Sequence, residues 1–482
     1  MNKHFWIIVI AVGVSLVLIL ITPRPDAPDP SKQIDPHAWN VLIIQADTLR
    51  ADRLGAYGHT RAKTPNLDAL AAEGVLFEQH IVNATYTACS IPSLLTGNYQ
   101  DRHGLWFHGD TLSEKNLTLP ERLSALGYKT AGFSANPIVH EDRGYAQGID
   151  SMRTLKQNNN AEQMVDHATN WLDKNGDDPF FLWLLLIDPH FPYTPPDRFT
   201  SLYPESGTYE ESLSWQWEFN QSEAEWDKES LMWGYVANEQ QIAQESALYD
   251  GEIAYLDEQV GRLLDYLDEN GLRDNTLIVF TSDHGEELAE HTLFCTHGNS
   301  TYETLARVPL IIQTPDSTTS RVPQVVRTID IAPTILSLLD IPYEDEMDGR
   351  SLAPLVRGTE TALPKLPAYI ANGPIHEGFW KENPRMYVKG VQGTWATVRT
   401  EEWKLIRIPH PEKYIFELYN IKTDPEEKHN LYNSNPDQAA ALITILDSIK
   451  TRLPDGSLVT PQQQELDEET RQTLESLGYL SE

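Results

Sequence analysis

The sequence predicts an α/β fold in which helices pack on both sides of a large, mostly parallel β-sheet. Short unbroken apolar runs, typical of strands buried on both faces, occur at 41–44, 128–133, 180–187, 276–281 and 308–312. Segments with helical periodicity lie between these runs, at 65–73, 119–126, 161–174 and 247–269. Strands that alternate with helices indicate parallel pairing, because a parallel pair needs a long crossover connection.

The alternation ends near residue 340, which divides the chain into two regions. Beyond this point the pattern predicts a small antiparallel sheet and two helices, at 402–407, 416–419, 436–452 and 465–477. We therefore expect a main domain at 40–340 and a C-terminal subdomain at 341–482.

A tryptophan-rich segment at 199–244 interrupts the main domain. Its tryptophans are Trp215, Trp217, Trp226 and Trp233. These side chains could form a lid that stacks on a sugar or aryl group, or they could fasten a long loop to the body of the domain. The sequence leaves both interpretations open.

The first part of the chain predicts a membrane anchor. Residues 5–21 are apolar apart from Gly13 and Ser15, and a bilayer crossing needs roughly 17–25 such residues. We expect a transmembrane signal-anchor at 1–22, a proline-rich linker at 23–39, and a body outside the cytoplasm, periplasmic or extracellular. A cleaved signal peptide is the alternative.

The charge balance limits the classes of partner. The chain has 37 lysines and arginines against 71 aspartates and glutamates, a formal net charge of −34. Because a surface this acidic repels a phosphate backbone, we expect no nucleic-acid partner. A local basic or metal-lined pocket could still bind an anion.

The two cysteines are Cys89 and Cys295, so the chain is not a disulfide scaffold. Outside the cytoplasm they could form one disulfide between two loops. Two buried free thiols are the expected state.

Residues that suit a metal ion follow three of the predicted strands. Asp47 follows the first run, Asp188 and His190 follow the third, and Asp283 and His284 follow the fourth. Ligands of open α/β sheets bind at these strand ends. Carboxylate oxygen together with imidazole nitrogen favours zinc or manganese, with calcium as a further possibility.

A hydroxyl group begins the predicted helix at 87–97. Backbone N–H groups at a helix N-terminus can hold an anion, and a metal ion would turn the Thr87 hydroxyl into a nucleophile at neutral pH. Taken alone, Thr87 would be interpreted as a helix N-cap.

These motifs together resemble the sulfatase family of the alkaline phosphatase superfamily. The resemblance rests on residues 40–54, 87–104, 249–284, 307–314, 348–352, 417–420 and 430–431. It implies an alkaline phosphatase-like fold and a metal-dependent enzyme that hydrolyses or transfers an anionic ester. The main domain would then be the catalytic domain.

The chain departs from the family at its nucleophile. Sulfatases of the family carry a cysteine or serine ten residues before the glycine of a Leu-Thr-Gly signature, within Cys-x-Pro-x-Arg, and oxidise it to formylglycine. Here Thr87 stands at that position before Gly97, with Cys89 and Ile91 in place of the proline and arginine. We therefore expect no formylglycine. A later substrate-binding lysine of the family is replaced by His297.

Threonine at this position resembles nucleotide phosphodiesterases, lipoteichoic acid synthases and, in particular, phosphoethanolamine transferases. The likeness implies that a divalent metal is bound by Asp47, Thr87, Asp283 and His284. His190 and His297 would contact the substrate or a second metal. Asn136 would bind an ester oxygen, or would only cap a turn. Thr48 stands at the family's second carboxylate position, which weakens the case for calcium.

The mechanism that this resemblance implies is a double displacement. Thr87 attacks phosphorus, His190 or His297 protonates the leaving group, and water or an alcohol releases the threonine ester. The expected substrate is a phosphodiester or phosphomonoester of an envelope lipid or glycan. The alternatives are a sulfatase that works without formylglycine and a non-catalytic binding protein on the same scaffold.

Overall fold

The structure is a computed structural model that describes residues 39–106, 109–155, 160–207, 238–291, 294–298, 300–316, 318–343, 347–372, 394–409 and 413–453. The predicted anchor at 1–22, nearly all of the linker at 23–39, the four tryptophans of the insertion and the predicted helix at 465–477 lie outside these ranges. Within them, no helix combines the length and the apolar character that a membrane crossing requires.

A nine-stranded sheet forms the centre of the main domain. The strands of all described sheets are β1 (Asn40–Ala46), β2 (Val75–Ile81), β3 (Lys129–Ser134), β4 (Ser151–Thr154), β5 (Phe180–Leu186), β6 (Thr276–Ser282), β7 (Glu287–Leu288), β8 (Phe294–Thr296), β9 (Arg307–Val308), β10 (Leu310–Gln313), β11 (Ser320–Arg327), β12 (Ala368–Ala371), β13 (Ala396–Arg399), β14 (Trp403–Ile408) and β15 (Ile415–Asn420). The main sheet has the order β11-β2-β10-β6-β1-β5-β3-β4, and β9 pairs with β2. Only β9 and β10 pair antiparallel with their neighbours in this sheet, so the predicted parallel architecture is confirmed.

Helices cover both faces of the main sheet, as the alternation predicts. The helices of the described residues are α1 (Pro65–Glu73), α2 (Thr87–Thr96), α3 (Gln100–His103), α4 (Leu119–Ser124), α5 (Ala161–Asn175), α6 (Asp197–Thr200), α7 (Glu239–Glu269), α8 (Glu303–Ala306), α9 (Ile331–Leu338), α10 (Ala353–Val356) and α11 (Pro436–Arg452). On β1, Leu42 and Ile44 face the layer of α1, α5 and α7, whereas Val41 and Ile43 face the layer of α2 and α9. The strand is apolar on both faces because each face is buried.

Two features differ from the prediction. α7 begins at Glu239 rather than at 247, so the end of the predicted insertion is helical. Asn238 caps it by accepting from Gln241 N at 2.9 Å, and the polar first turns concealed this start. β2 was not predicted because Glu78 and Gln79 interrupt its apolar run.

The C-terminal subdomain contains the predicted antiparallel sheet, in the order β12-β13-β14-β15. β14 and β15 correspond to the two predicted runs, and β12 and β13 extend the sheet. α11 packs on it through Leu442 and Leu446. The predicted combination of a small sheet and a helix is therefore confirmed.

Candidate active site

Three loops meet at one edge of the main sheet. β6, β1 and β5 are adjacent and parallel, so their carboxyl ends lie at the same edge. Asp283 follows β6, Asp47 follows β1, and the loop with His190 follows β5. Pairing continues just past the strands, with Asp47 N 2.8 Å from Leu186 O and Asp283 N 3.3 Å from Ala46 O. The strand ends thus bring these loops together as expected.

Asp47, Asp283 and His284 form a buried cluster with the composition of a metal site. One potential ligand atom from each lies within 4.8 Å of the other two. His284 Nε2 is 3.5 Å from Asp283 Oδ2 and 3.8 Å from Asp47 Oδ1. All three side chains are fully buried.

The electrostatics of this cluster are those of a site that needs a cation. Burial, and then the charge of Asp283, raise the pKa of Asp47 well above its usual value. Burial also raises the pKa of Asp283, although His284 and the Thr87 hydroxyl oppose it. Asp47 Oδ1 is buried without a hydrogen-bond partner among the described residues. Two carboxylates and an imidazole that lack a compensating charge fit a divalent ion.

Thr87 is the first residue of α2 and lies against this cluster. Its Oγ1 is 3.2 Å from His284 Nε2, and the side chain is fully buried. The N-cap of α2 is Tyr86, which makes no side-chain capping bond. The interpretation of Thr87 as an N-cap is therefore wrong, and its hydroxyl faces the candidate metal ligands instead.

Asn136 follows β3 and orients one of the carboxylates. Its Nδ2 donates to Asp47 Oδ2 at 2.6 Å, and its Oδ1 accepts from Ile138 N at 2.9 Å. The amide therefore closes a turn and holds Asp47 at the same time. A contact with substrate remains a prediction.

His190, His284 and His297 lie together. The ring centroids of His284 and His297 are 4.4 Å apart, and those of His190 and His297 are 5.0 Å apart. Burial lowers the pKa of His284 and of His297 to about 3, so both rings are neutral.

Each of the three rings has Nδ1 next to an oxygen atom. Phe191 O is 2.5 Å from Nδ1 of His190, Gly285 O is 2.9 Å from that of His284, and Glu286 Oε1 is 3.1 Å from that of His297. Because these oxygens accept, the proton of the neutral His284 and His297 rings belongs on Nδ1. Nε2 of these two rings then carries a lone pair.

Glu286 is the residue that sequence reasoning missed. It stands two residues after His284 in the Asp-His-Gly-Glu segment, but its spacing alone does not reveal a contact with His297. The chain turns at Gly285, where a Cβ would lie 1.9 Å from Thr304 O. This turn directs the buried Glu286 carboxylate back to the site.

Asp188, another candidate, lies outside the cluster. Asp188 Oδ2 accepts from Ala161 N at 2.7 Å, at the start of α5, and its carboxyl group is also hydrogen-bonded to Glu252. It fastens the loop that carries His190.

Cys89 and Cys295 are both buried and unlinked, which confirms the expected free thiols.

Thr48 adopts a left-handed backbone conformation beside Asp47, with φ 59°. Such a conformation is strained for a β-branched residue. Its N donates to Asp283 Oδ1 at 3.2 Å, and its O accepts from the Tyr249 hydroxyl at 2.7 Å. These bonds bring the loops after β1 and β6 into contact.

Known families match most of the chain. The sequence model of the sulfatase family matches residues 39–341, and the model described as N-sulphoglucosamine sulphohydrolase, C-terminal, matches residues 289–453. An arylsulfatase of Clostridium perfringens is 27% identical over 462 residues, which cover 82% of this chain and 90% of that protein.

Two solved structures share the fold. The phosphonate monoester hydrolase of Agrobacterium radiobacter superimposes with a TM-score of 0.70 at 22% identity, over 89% of this chain and 98% of that chain. A structure in complex with its substrate D-glucosamine-2-N,6-O-disulfate gives a TM-score of 0.68 at 21% identity, over 89% of this chain and 100% of that chain.

Fold, cluster and relatives define a sulfatase-like ester hydrolase of the alkaline phosphatase superfamily. Because the family match covers more than half of its residues, the chain belongs to the sulfatase family. Enzymes of this family depend on a metal, and the Asp-Asp-His cluster is the candidate site for it. The alternative of a non-catalytic binding protein is thereby set aside.

Proposed function

We propose that the protein hydrolyses or transfers a phosphoester and that Thr87 is its nucleophile. The observation that carries the proposal is the buried Thr87 Oγ1, 3.2 Å from His284 Nε2, at the position where the resemblance implies a formylglycine precursor. Threonine has no second hydroxyl on its reacting carbon. A sulfate ester formed there could not leave by collapse to an aldehyde, whereas water can attack the phosphorus of a phosphothreonine.

The donor set supports zinc or manganese as the metal. Asp47, Asp283 and His284 offer two carboxylates and one imidazole, and calcium prefers more oxygen ligands. When bound, such an ion supplies Lewis-acid stabilisation of the developing charge and lowers the pKa of the Thr87 hydroxyl.

The bond changes follow from these residues. The Thr87 hydroxyl loses its proton as its oxygen forms a bond to phosphorus. The bond from phosphorus to the leaving oxygen breaks and the leaving oxygen gains a proton, so the step is balanced in protons. Water or an alcohol then attacks phosphorus, regenerates the threonine hydroxyl and yields the product. A general-acid role for His190 or His297 requires a proton on Nε2. A bound anion favours this proton, because a neighbouring negative charge raises the pKa of an imidazole.

The charge of the site favours a singly charged ester. Among the described residues, the principal titratable neighbours of the three cluster residues are one another, Glu286, His190 and His297, without a lysine or arginine. A divalent ion would balance the two carboxylates, leaving no excess positive charge for a dianionic phosphomonoester. A phosphodiester therefore suits the site better. The related fold of a phosphonate monoester hydrolase supports this choice.

Sulfate hydrolysis is the second candidate. The arylsulfatase relative and the structure bound to a sulfated glucosamine favour it, since a sulfate ester is also singly charged. Residue 87 distinguishes the two, because a threonine cannot become formylglycine. A substrate in an envelope lipid or glycan rests further on the predicted anchor at 1–22 and on a catalytic domain outside the cytoplasm.

The test uses the full-length chain loaded with zinc, manganese or calcium. We expect turnover of bis-nitrophenyl phosphate above that of nitrophenyl phosphate and nitrophenyl sulfate. Thr87→Ala is expected to lower kcat/KM on the diester by about 10³-fold or more, because it removes the nucleophile. Thr87→Ser keeps a hydroxyl and is the matched control. Sulfate turnover above phosphate turnover, or activity that survives in Thr87→Ala, would overturn the proposal.

A further inference from the structure

Glu286 and His297 form a buried pair at the edge of the candidate active site. Glu286 Oε1 lies 3.1 Å from His297 Nδ1, and the two side chains are 0% and 7% exposed. A carboxylate that accepts a hydrogen bond from Nδ1–H of an imidazole fixes both the tautomer and the orientation of the ring.

The fold holds the carboxylate end of this pair in place. Gly285 N donates to Leu305 O at 2.9 Å, and no side chain would fit at Gly285 beside Thr304 O. The buried Arg50 donates from Nη1 to Glu286 O at 3.2 Å. Because Arg50 is also paired with Asp52 and Glu290, the backbone of Glu286 is fixed from several sides.

His297, the other member of the pair, contacts two further histidines of the candidate active site. The ring of His297 packs against those of His284 and His190, at centroid distances of 4.4 and 5.0 Å. With the proton of the neutral ring on Nδ1, only Nε2 can accept a further proton. Once protonated, Nε2 can donate a hydrogen bond to an anionic ester.

We propose that Glu286 is the positioning residue for His297, a role that rests on the proposed function of the site. It keeps the ring in the Nδ1–H tautomer with Nε2 towards the reacting ester. Loss of this carboxylate lets the ring rotate or change tautomer, while Thr87 and the side chains of Asp47, Asp283 and His284 are not replaced.

The adjacent Glu287 provides a matched control. It is also fully buried, but its Oε1 accepts from Thr304 Oγ1 at 2.7 Å and lies 3.1 Å from His291 Nδ1, not near His297. We expect Glu286→Ala to lower kcat on bis-nitrophenyl phosphate by about 10- to 100-fold with KM nearly unchanged, as for other orienting carboxylates. Glu286→Gln still accepts from Nδ1–H and should recover most of the rate, and Glu287→Gln should retain full kcat.

A double mutant separates positioning from general damage. If Glu286 acts through His297, Glu286→Ala should cost no further rate in a His297→Ala background. Additive losses, or an equal loss in Glu287→Gln, would overturn the proposal.

A second readout does not depend on turnover. The ¹⁵N shifts of His297, assigned with His297→Ala, should report the Nδ1–H tautomer in the wild-type protein and a shift towards Nε2–H in Glu286→Ala. An unchanged tautomer would overturn the positioning role. If the tautomer shifts but the wild-type protein turns over no ester, the proposed function fails while the positioning role stands.

Discussion

Two buried clusters in this protein differ in whether lysine and arginine side chains pair with their carboxylates. In the active-site cluster, burial raises the pKa values of Asp47 and Asp283, and neither carboxylate is paired with a lysine or arginine among the described residues. At the junction with the C-terminal sheet, Lys404 Nζ lies 3.1 Å from Glu303 Oε1 and 2.8 Å from Glu427 Oε1. Arg399 Nε lies 3.2 Å from Glu303 Oε1.

The contrast separates a functional cluster from a structural one. Burial alone would raise the pKa of Glu303, but Arg399 and Lys404 lower it to about 2. A paired carboxylate of this kind stabilises the fold. The uncompensated pair at the active site destabilises the metal-free fold and is explained by a cation that binds there.

The largest effect on stability should come from breaking the compensated cluster. Lys404 is fully buried, so Lys404→Met leaves Glu303 and Glu427 with less positive charge in a site closed to water. We expect the free energy of unfolding to fall by about 3–5 kcal/mol in urea titrations.

Lys365→Met is the matched control for this change. Lys365 is 78% exposed and paired with Glu401, so its loss should change the free energy of unfolding by less than about 0.5 kcal/mol. Equal effects of the two substitutions would mean that burial does not distinguish the two ion pairs.

A smaller change of opposite sign is expected in the uncompensated cluster. Asp47→Asn should raise the free energy of unfolding of the metal-free protein by about 1–2 kcal/mol, because it removes one of two repelling buried charges. The same variant should lose the stabilisation that zinc or manganese gives the wild-type protein. Thermal unfolding with chelator and with metal measures both effects.

The raised pKa of Asp47 also determines how the stability difference between wild type and Asp47→Asn changes with pH. The native state binds more protons than the unfolded state between the unfolded pKa, about 3.9, and the raised folded pKa. The metal-free wild-type protein should therefore lose stability relative to Asp47→Asn as pH rises through that window. A metal-free Asp47→Asn less stable than wild type would contradict the uncompensated charge. Glu303→Gln provides the contrast and should destabilise at neutral pH.

The smallest expected effect belongs to His291, which links the β7–β8 hairpin to the C-terminal subdomain. Its Nδ1 lies 3.1 Å from Glu287 Oε1, its Nε2 lies 3.2 Å from Glu426 O, and its ring stacks on Tyr302 at 3.7 Å. Burial alone would lower the pKa of His291, but Glu287 raises it above its usual value.

A raised folded pKa stabilises the protein below the unfolded pKa, about 6.5, and this stabilisation is lost as pH rises through the folded pKa. The free energy of unfolding of the wild-type protein should be higher than that of His291→Gln by about 0.5–1 kcal/mol at pH 5.5. This difference should be smaller at pH 8.5. Unfolding curves at both pH values measure it, with the 79%-exposed His429→Gln as the control. A difference that grows with pH would show that the ring is not held as a cation.

Particular residues show how far the sequence alone predicts this architecture. The buried strands β1, β5 and β6 are continuous apolar runs, and parallel strands end at one edge, so the meeting of Asp47, Asp283 and His284 follows from the pattern. Glu286 could not be found in this way, because its direction depends on the turn that Gly285 makes beside Thr304. The contacts of Asp188 could not be found in this way either. It follows a central strand, but its carboxylate bonds to the start of α5 and to Glu252.

The central claim is that Thr87 carries the phosphoryl group during turnover. The most direct measurement is peptide mass spectrometry of the metal-loaded, full-length protein after acid quench during turnover of bis-nitrophenyl phosphate. We predict a phosphoester on the peptide with Thr87, absent in Thr87→Ala, and an unmodified Cys89. Turnover without a phosphorylated Thr87, or an aldehyde at Cys89, would contradict the account.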